Sequence, residues 1–280
     1  MKISSNISLS IAIVSYLSPA AELRKTLASL LGALQVLRVD APDAVFTISI
    51  IDNSESSSLK LDEFSQLSAK LSALACELRL IQGHGNVGYG AAHNIAIANT
   101  GSDYHLLMNP DVELDPQSLA LGIDYLFQNS EVAVVSPSAS WEGGARQYLC
   151  KRYPAVFDLF LRGFMPAFVR TVFNGRLAEY EMHDLVDAAP ADNIPIVSGC
   201  FMLCRSEALQ KVGGFNEDYF LYFEDFDLSM RLNELYSLAY LPAMKIVHAG
   251  GHSASKGLNH IKMFIQSGRR FFSTYGWRWF

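Results

Sequence analysis

The stretch Glu77-Leu78-Arg79-Leu80-Ile81-Gln82-Gly83-His84-Gly85-Asn86-Val87-Gly88-Tyr89-Gly90 reads as a strand, a glycine-rich turn and the start of a helix that runs through Ala98. Glycines of this kind let backbone approach a phosphate, and a helix N-terminus favours an anion. Residues 83–88 also fit the GxGxxG pattern of dinucleotide-binding proteins, with Asp111 further along. A nicotinamide-dependent oxidoreductase is therefore one reading of the turn. The motif, however, follows the third strand instead of the first, and its acid lies in an Asn-Pro-Asp turn.

Working outward, the same alternation repeats. Ile7 to Ser15 is rich in isoleucine and valine and predicts a strand buried on both faces. Ala21 to Leu37 carries leucines at helical spacing, and Val45 to Ile51 predicts a second strand ending at Asp52-Asn53-Ser54. Leu59 to Ala75 predicts a second helix, and Tyr104 to Met108 a fourth strand ending at Asn109-Pro110-Asp111. Four strand–helix alternations imply an α/β chain with a doubly wound, mostly parallel sheet, whose ligand crevice lies at the carboxyl ends of the strands. A helix over Pro116 to Gln128 and a strand over Val132 to Pro137 continue the pattern. From Trp141 to Asn193 aromatics, arginines and prolines mix without a period, which predicts an irregular insertion shaping a second binding surface. Regularity returns with Ile194 to Cys204, a helix from Asp225 to Leu235, a strand from Met244 to His248 and a basic, aromatic helical stretch from Lys256 to Phe280.

Bulk properties narrow the class. Half of the 280 residues are hydrophobic, enough for one large core, and a net charge of −6 argues against general nucleic-acid binding. Cys76, Cys150, Cys200 and Cys204 read as reduced, buried thiols, because a closed zinc site needs about four ligands and none cluster with Cys200 and Cys204. No segment approaches the roughly 20 apolar residues that cross a bilayer. Lys2 with the apolar run Ile7 to Leu17 superficially resembles a signal peptide, but serines interrupt it and a first buried strand is preferred. A cytoplasmic protein, peripheral at the inner face of the membrane, is the expected setting.

Three polar constellations could carry chemistry. Asp111, in its turn at a strand end, could hold Mg²⁺ or Mn²⁺ against a diphosphate, or simply cap the following helix. In Tyr219 to Leu228, three carboxylates sit among aromatic residues. Apolar walls raise a carboxylate's pKa and suit it to take a proton from an alcohol, although acids also stabilise a first helical turn. His248 ends a strand, and neutral imidazole is a good ligand for borderline metals.

In order and spacing, Ile13-Val14-Ser15-Tyr16, Ile51-Asp52-Asn53-Ser54, Gly85 to Gly90 with Asn94, Met108 to Val112, Ser198 to Met202, Gly213 to Glu217, Phe223 to Leu228 with Arg231, and His248 resemble the family 2 glycosyltransferases, particularly the bacterial rhamnosyltransferase-like branch. The resemblance implies a GT-A fold in one continuous domain. Residues 1–111 would form the nucleotide-sugar-binding half, 112–250 the acceptor-binding and catalytic half, and 251–280 a C-terminal helical segment. It implies that Val14, Ser15, Tyr16 and Asp52 hold the base and ribose, and that Gly85, Asn86 and Gly88 line the nucleotide pocket with Asn94 and Asn109 nearby. Asp111 and His248 would bind a divalent metal, Asp225 would be the base, and Glu224 would position hydroxyls. Ser198 and Gly199 would border the sugar-acceptor junction, and Arg231 would be a further substrate- or nucleotide-binding residue. The first position of the family's common Asp-x-Asp is Asn109 here, a departure that the rhamnosyltransferase-like branch often shows as Asn-Pro-Asp. The implied partners are a nucleotide-diphospho-sugar donor, favoured as dTDP-rhamnose, and a glycan or polyprenyl-linked acceptor. A non-catalytic nucleotide-sugar-binding protein is the remaining alternative. Lys262, Arg269, Arg270, Phe271, Phe272, Trp277, Arg278, Trp279 and Phe280 are expected either to contact a membrane surface, to pack on the protein body, or to form a dimer contact.

Overall fold

The structure is a computed structural model and describes residues 4–56, 59–98, 100–185, 187–250 and 257–280. Strands β1 (Ser8–Ser15), β2 (Val45–Asp52), β3 (Cys76–Ile81) and β4 (Tyr104–Met108) form a parallel run in the order β3-β2-β1-β4. The crossovers are α1 (Ala20–Asp40), α2 (Ser65–Ser72) and α3 (Tyr89–Ile97). The leucines of α1 at positions 23, 27, 30, 34 and 37 are fully buried, which accounts for the helical period in that segment. Register pairs Ser15 with Asp52 at the carboxyl ends, so polar groups distant in sequence meet at one edge of the sheet.

Parallel winding stops at β4. After β5 (Val112–Leu114), α4 (Ser118–Gln128) and β6 (Val132–Ser140), the chain makes its insertion and returns as β10 (Phe201–Arg205), antiparallel to both β4 and β6. The long strand β11 (Ser237–His248) then runs parallel to β6 and pairs antiparallel with β5, setting His248 opposite Val112. The sheet is therefore doubly wound and parallel in its first half and mixed in its second. Alternation of elements in sequence does not reveal that an inserted segment reverses the direction of the next strand.

The insertion is more regular than its sequence suggests. It holds the short strands β7 (Arg146–Gln147) and β8 (Cys150–Lys151) and the helices α5 (Val156–Phe164), α6 (Ala167–Val172) and α7 (Asn174–Tyr180). Strand β9 (Ile196–Val197) pairs with β8. Pro154 and Pro166 cut the helical stretch into pieces too short to show a period, and much of their apolar surface faces solvent. Helices α8 (Ser206–Lys211), α9 (Glu224–Asn233) and α10 (Leu258–Tyr275) complete the chain.

A third, aromatic core joins α10 to the start of α9. Phe271 is fully buried and its ring lies 5.5 Å from Phe223 and 5.9 Å from Phe226, with Phe272 and Tyr219 alongside. Of the C-terminal aromatic residues, Phe271 and Phe272 thus pack on the protein body, one of the alternatives expected for them, whereas Trp277 and Trp279 remain half exposed. No helix among the described residues is long and apolar enough to cross a membrane. Cutting the chain at Gly268 would remove two core rings, so membrane contact has to be tested by point substitution. Phe271→Ala should cost about 3–5 kcal/mol of stability in denaturant unfolding. A loss within experimental error would show that α10 is not part of the core.

Candidate active site

At the carboxyl ends of β1, β2 and β4 a cavity of about 860 Å³ is lined by Val14, Tyr16, Asn53, Asn86, Gly88, Tyr89, Asn109, Asp111 and His248. Its wall at Leu17, Ser18 and Pro19 is shared with a 440 Å³ recess that contains Asp52. Asp52 is buried, accepting from the Ser54 amide at 3.1 Å and from Gln82 Nε2 at 3.3 Å. The glycine turn is tied down by Asn53, whose Oδ1 accepts from the Val87 amide at 3.0 Å and whose Nδ2 donates to Asn86 Oδ1 at 3.1 Å. Gly88 has φ +95°, and a Cβ there would lie 2.5 Å from the carbonyl oxygen of Phe220. Only glycine fits where the turn packs on the segment leading to the acidic cluster. The Tyr89 amide then donates to that same carbonyl at 3.0 Å.

Asp111 and His248 face each other across the cavity floor, Oδ1 to Nε2, at 3.3 Å. His248 Nδ1 is 2.9 Å from Gln147 Oε1, a contact that holds the ring with Nε2 towards the Asp111 carboxylate. Trp141 stacks on the imidazole at 6.1 Å and fixes its plane. Asn109 Nδ2 approaches Nε2 at 3.4 Å. Among the described residues no group of three His, Cys, Asp or Glu side chains forms a cage. One carboxylate and one imidazole nevertheless suit an ion that draws its remaining ligands from a diphosphate and water.

The second half of the site is the start of α9. Tyr222 and Phe223 adopt φ of +69° and +66°, a left-handed pair that is costly for aromatic residues. It turns the chain so that Glu224 and Asp225 open the helix, where amides and the helix dipole favour negative charge. Asp225 Oδ2 accepts from the Gly199 amide at 2.8 Å and Oδ1 from the Phe226 amide at 3.0 Å. Burial raises the Asp225 carboxyl above its ordinary range, and these amides restrain the rise. Glu224 is pushed up to about 8, first by burial and then by the neighbouring Asp225 charge. Its Oε2 is buried with no hydrogen-bond partner among the described residues. Both acids line a 580 Å³ cavity with Arg162, Tyr180 and Phe264. Tyr89 joins the two halves, its hydroxyl lying 2.7 Å from the Gly199 carbonyl and 2.9 Å from Asn109 Oδ1.

Of the residues expected at the site, Val14, Tyr16, Asn86, Gly88, Asn109, Asp111 and His248 line the first cavity, and Glu224 and Asp225 the second. Asp52 lines the adjoining recess, and Gly199 holds Asp225. Others have structural partners. Asn94 bonds the Phe215 backbone, Arg231 bonds Asp227 and the Val212 carbonyl, and Ser198 bonds the Leu149 carbonyl through its amide. Ser15 is buried, and neither Ser15 nor Gly85 lines the cavities described. Sequence reading missed Asn53, Tyr89 and Tyr180 as site residues. The first two lie within motifs already singled out, whereas Tyr180 lies in the insertion, where no pattern marks it.

A family model described as glycosyl transferase family 2 matches residues 10–213. The chain belongs to glycosyl transferase family 2. It is 28% identical over 194 residues to an N-acetylglucosaminyl-diphospho-decaprenol L-rhamnosyltransferase of Mycobacterium tuberculosis, covering 64% of this chain. The match spans only 61% of that relative's length. It is 26% identical over 226 residues to the rhamnosyltransferase WbbL of Escherichia coli, covering 76% of each chain. Among solved structures, it resembles GalNAc-T7 with UDP, GalNAc and Mn²⁺ at TM-score 0.62 and 13% identity, over 95% of this chain and 48% of that one. It also resembles the mannosyltransferase PcManGT from Pyrobaculum calidifontis with GDP-Man and Mn²⁺, at TM-score 0.56 and 16% identity, over 88% of this chain and 58% of that one. The family 2 fold here is of the GT-A type, and the nicotinamide reading of the glycine turn is not favoured.

Glu224 gives the site a pH signature. Its folded pKa lies above the unfolded value, so unfolding releases a proton between the two values and the folded state loses stability as pH rises through that window. Glu224→Gln removes this loss. The variant's melting temperature relative to wild type should therefore climb from about pH 5 to about pH 8, and a difference independent of pH would contradict the assignment.

Proposed function

We propose that the chain is an inverting glycosyltransferase that moves a sugar from a nucleoside-diphosphate donor to a hydroxyl of a glycan or polyprenyl-linked saccharide, in cell-surface polysaccharide assembly. L-Rhamnose from dTDP-rhamnose is the favoured donor, supported by the rhamnosyltransferase names of the two relatives. The observation that carries the reading is the pairing of two cavities. One is built on a glycine turn and the Asp111–His248 pair, the other holds Asp225, and the Tyr89 hydroxyl lies between Asn109 of the first and the Gly199 carbonyl beside the second.

In this reading the nucleotide lies along the first cavity, with its base towards Asp52 and its diphosphate towards Asp111 and His248. Both the glycine turn and the first amides of α3 are suited to anionic oxygens. The acceptor hydroxyl enters the 580 Å³ cavity and meets Asp225. An alcohol is a poor nucleophile until a base takes its proton as the new C–O bond forms, and Asp225 accepts that proton. The bond from the anomeric carbon to the diphosphate oxygen breaks, and its electron pair leaves with the nucleoside diphosphate. A divalent ion held by Asp111 and His248 would supply Lewis-acid stabilisation of that oxygen. The structures with UDP and with GDP-Man, both containing Mn²⁺, support such an ion. Near neutral pH Glu224 is largely protonated, which makes it a hydrogen-bond donor to a sugar hydroxyl and a poor nucleophile. A single displacement with inversion follows. Retention by double displacement would need an ionised carboxylate against the anomeric carbon.

Asp225→Asn should lower turnover by about 10²–10⁴-fold while leaving donor affinity within a small factor, because the amide keeps the shape but cannot accept the proton. Steady-state kinetics with donor-binding calorimetry checks both, and turnover near wild type would refute Asp225 as base. Asp111→Ala should weaken donor binding only in the presence of Mn²⁺. Should chelation by EDTA leave the wild-type rate unchanged, the role of the Asp111–His248 pair is wrong.

A further inference from the structure

The mouth of the Asp225 cavity is bordered by exposed apolar rows from two different helices. On α5 and α6, Phe160, Phe164, Phe168 and Val172 recur every four residues and are 45%, 41%, 75% and 78% exposed. Helix α6 buries no residue. On α10, Leu258, Ile261 and Ile265 form a second exposed row. Phe164 and Ile261 both line the cavity, so the rows flank one opening. Contiguous apolar surface rimmed in this way marks an interaction site.

Charge selects the partner. The chain carries a net −6, yet residues 257–280 contain no acid, and the one acid in residues 156–176, Asp158, is buried and paired with Arg176. Arg170 projects from the same short helix as Phe168, and Lys262 and Arg269 share the outer stripe of α10 with Ile265. None of these three cations has an ion pair among the described residues. Beside them, Trp277 and Trp279 stack at 5.1 Å and stay half exposed. The Phe157 amide donates to the Trp279 carbonyl at 3.2 Å, which ties this tail to α5. Apolar rows interspersed with unpaired cations and flanked by indoles match an anionic lipid surface; the nearby acids Glu181 and Asp218 are paired with Arg162 and Arg270.

We infer that α5, α6 and the outer stripe of α10 form a membrane-docking face that seats the mouth of the Asp225 cavity on anionic lipid. A lipid-linked acceptor would then present its sugar from the bilayer plane while its chain stays in the membrane. Only that last consequence rests on the transferase reading; the docking face stands on its own.

The test is flotation of the full chain with phosphatidylglycerol-rich vesicles and with phosphatidylcholine vesicles. Wild type should float with the anionic vesicles, less so as salt rises, and should not float with the neutral ones. Phe168→Ser/Arg170→Ser/Val172→Ser and Ile265→Ser/Arg269→Ser should each reduce partitioning by about tenfold or more. Both variants should keep the wild-type melting temperature and its shift on adding nucleotide sugar. Failure of wild type to float, equal flotation with both lipids, or full retention by both variants would overturn the inference. So would a concentration-dependent dimer that ignores vesicles and is lost in the variants, which would make the face a contact between copies. Loss of donor binding in the wild type would instead count against the transferase reading alone.

Discussion

Two adjacent carboxylates have to be withdrawn from water without being silenced, and the structure around them is arranged to that end. Burial alone would push both Glu224 and Asp225 towards their neutral forms. Backbone amides of the first turn of α9 and of Gly199 offset this more at Asp225 than at Glu224. Asp225 receives the Gly199 and Phe226 amides, whereas Glu224 has a buried oxygen with no partner among the described residues. Environment thus distinguishes two chemically similar groups, as the proposed roles of Asp225 as base and Glu224 as hydrogen-bond donor require. The separation depends on the left-handed pair Tyr222–Phe223, which sets where the helix begins. That strain is held on one side by Phe271 packing on Phe223 and Phe226, and on the other by Gly88 packing on Phe220.

The same contacts couple distant parts of the chain. Gly88 belongs to the glycine turn, Phe220 to the approach to the acids, and Phe271 to the C-terminal helix that also walls the Asp225 cavity. On the other side, the pairing of β5 with β11 brings His248 to Asp111, and Gln147 with Trp141 fixes the ring. A residue from the end of the sheet therefore completes a site begun at the fourth strand. The Tyr89 hydroxyl lies between the Gly199 carbonyl and Asn109 Oδ1, and so links the loop that holds Asp225 to the turn that carries Asp111.

Much of this was legible in the sequence where local periodicity and polar punctuation coincide. The four parallel strands, their crossovers and the polar ends at Asp52, Gly88 and Asp111 follow from alternation and from the rule that ligands gather at carboxyl strand ends. Asp225 and His248 stood out by chemical company, an acid among aromatics and a histidine at a strand end. Other features were not legible because they are relations between segments. Reversal of β10, the contact of Gly88 with the Phe220 carbonyl, and Tyr89 as a bridge each need two parts of the chain to meet. Arg231 and Asn94 show the converse. Their spacing fits the family pattern, and their hydrogen bonds run to Asp227 and Phe215 within the protein body. In the insertion the helices are short, with Pro166 between α5 and α6, and the apolar residues at every fourth position point to solvent, so they do not mark a core face.

The central claim is that the larger cavity binds a nucleoside-diphospho-sugar through the Asp111–His248 pair. A thermal-shift panel of nucleotide sugars, with NAD as control and with and without Mn²⁺, addresses it directly, because a ligand that binds only the folded state raises its melting temperature by mass action. The account predicts stabilisation by a nucleotide sugar, dTDP-rhamnose above the others, that depends on Mn²⁺. Stabilisation by NAD alone, or by a nucleotide sugar to the same extent without metal, would contradict it.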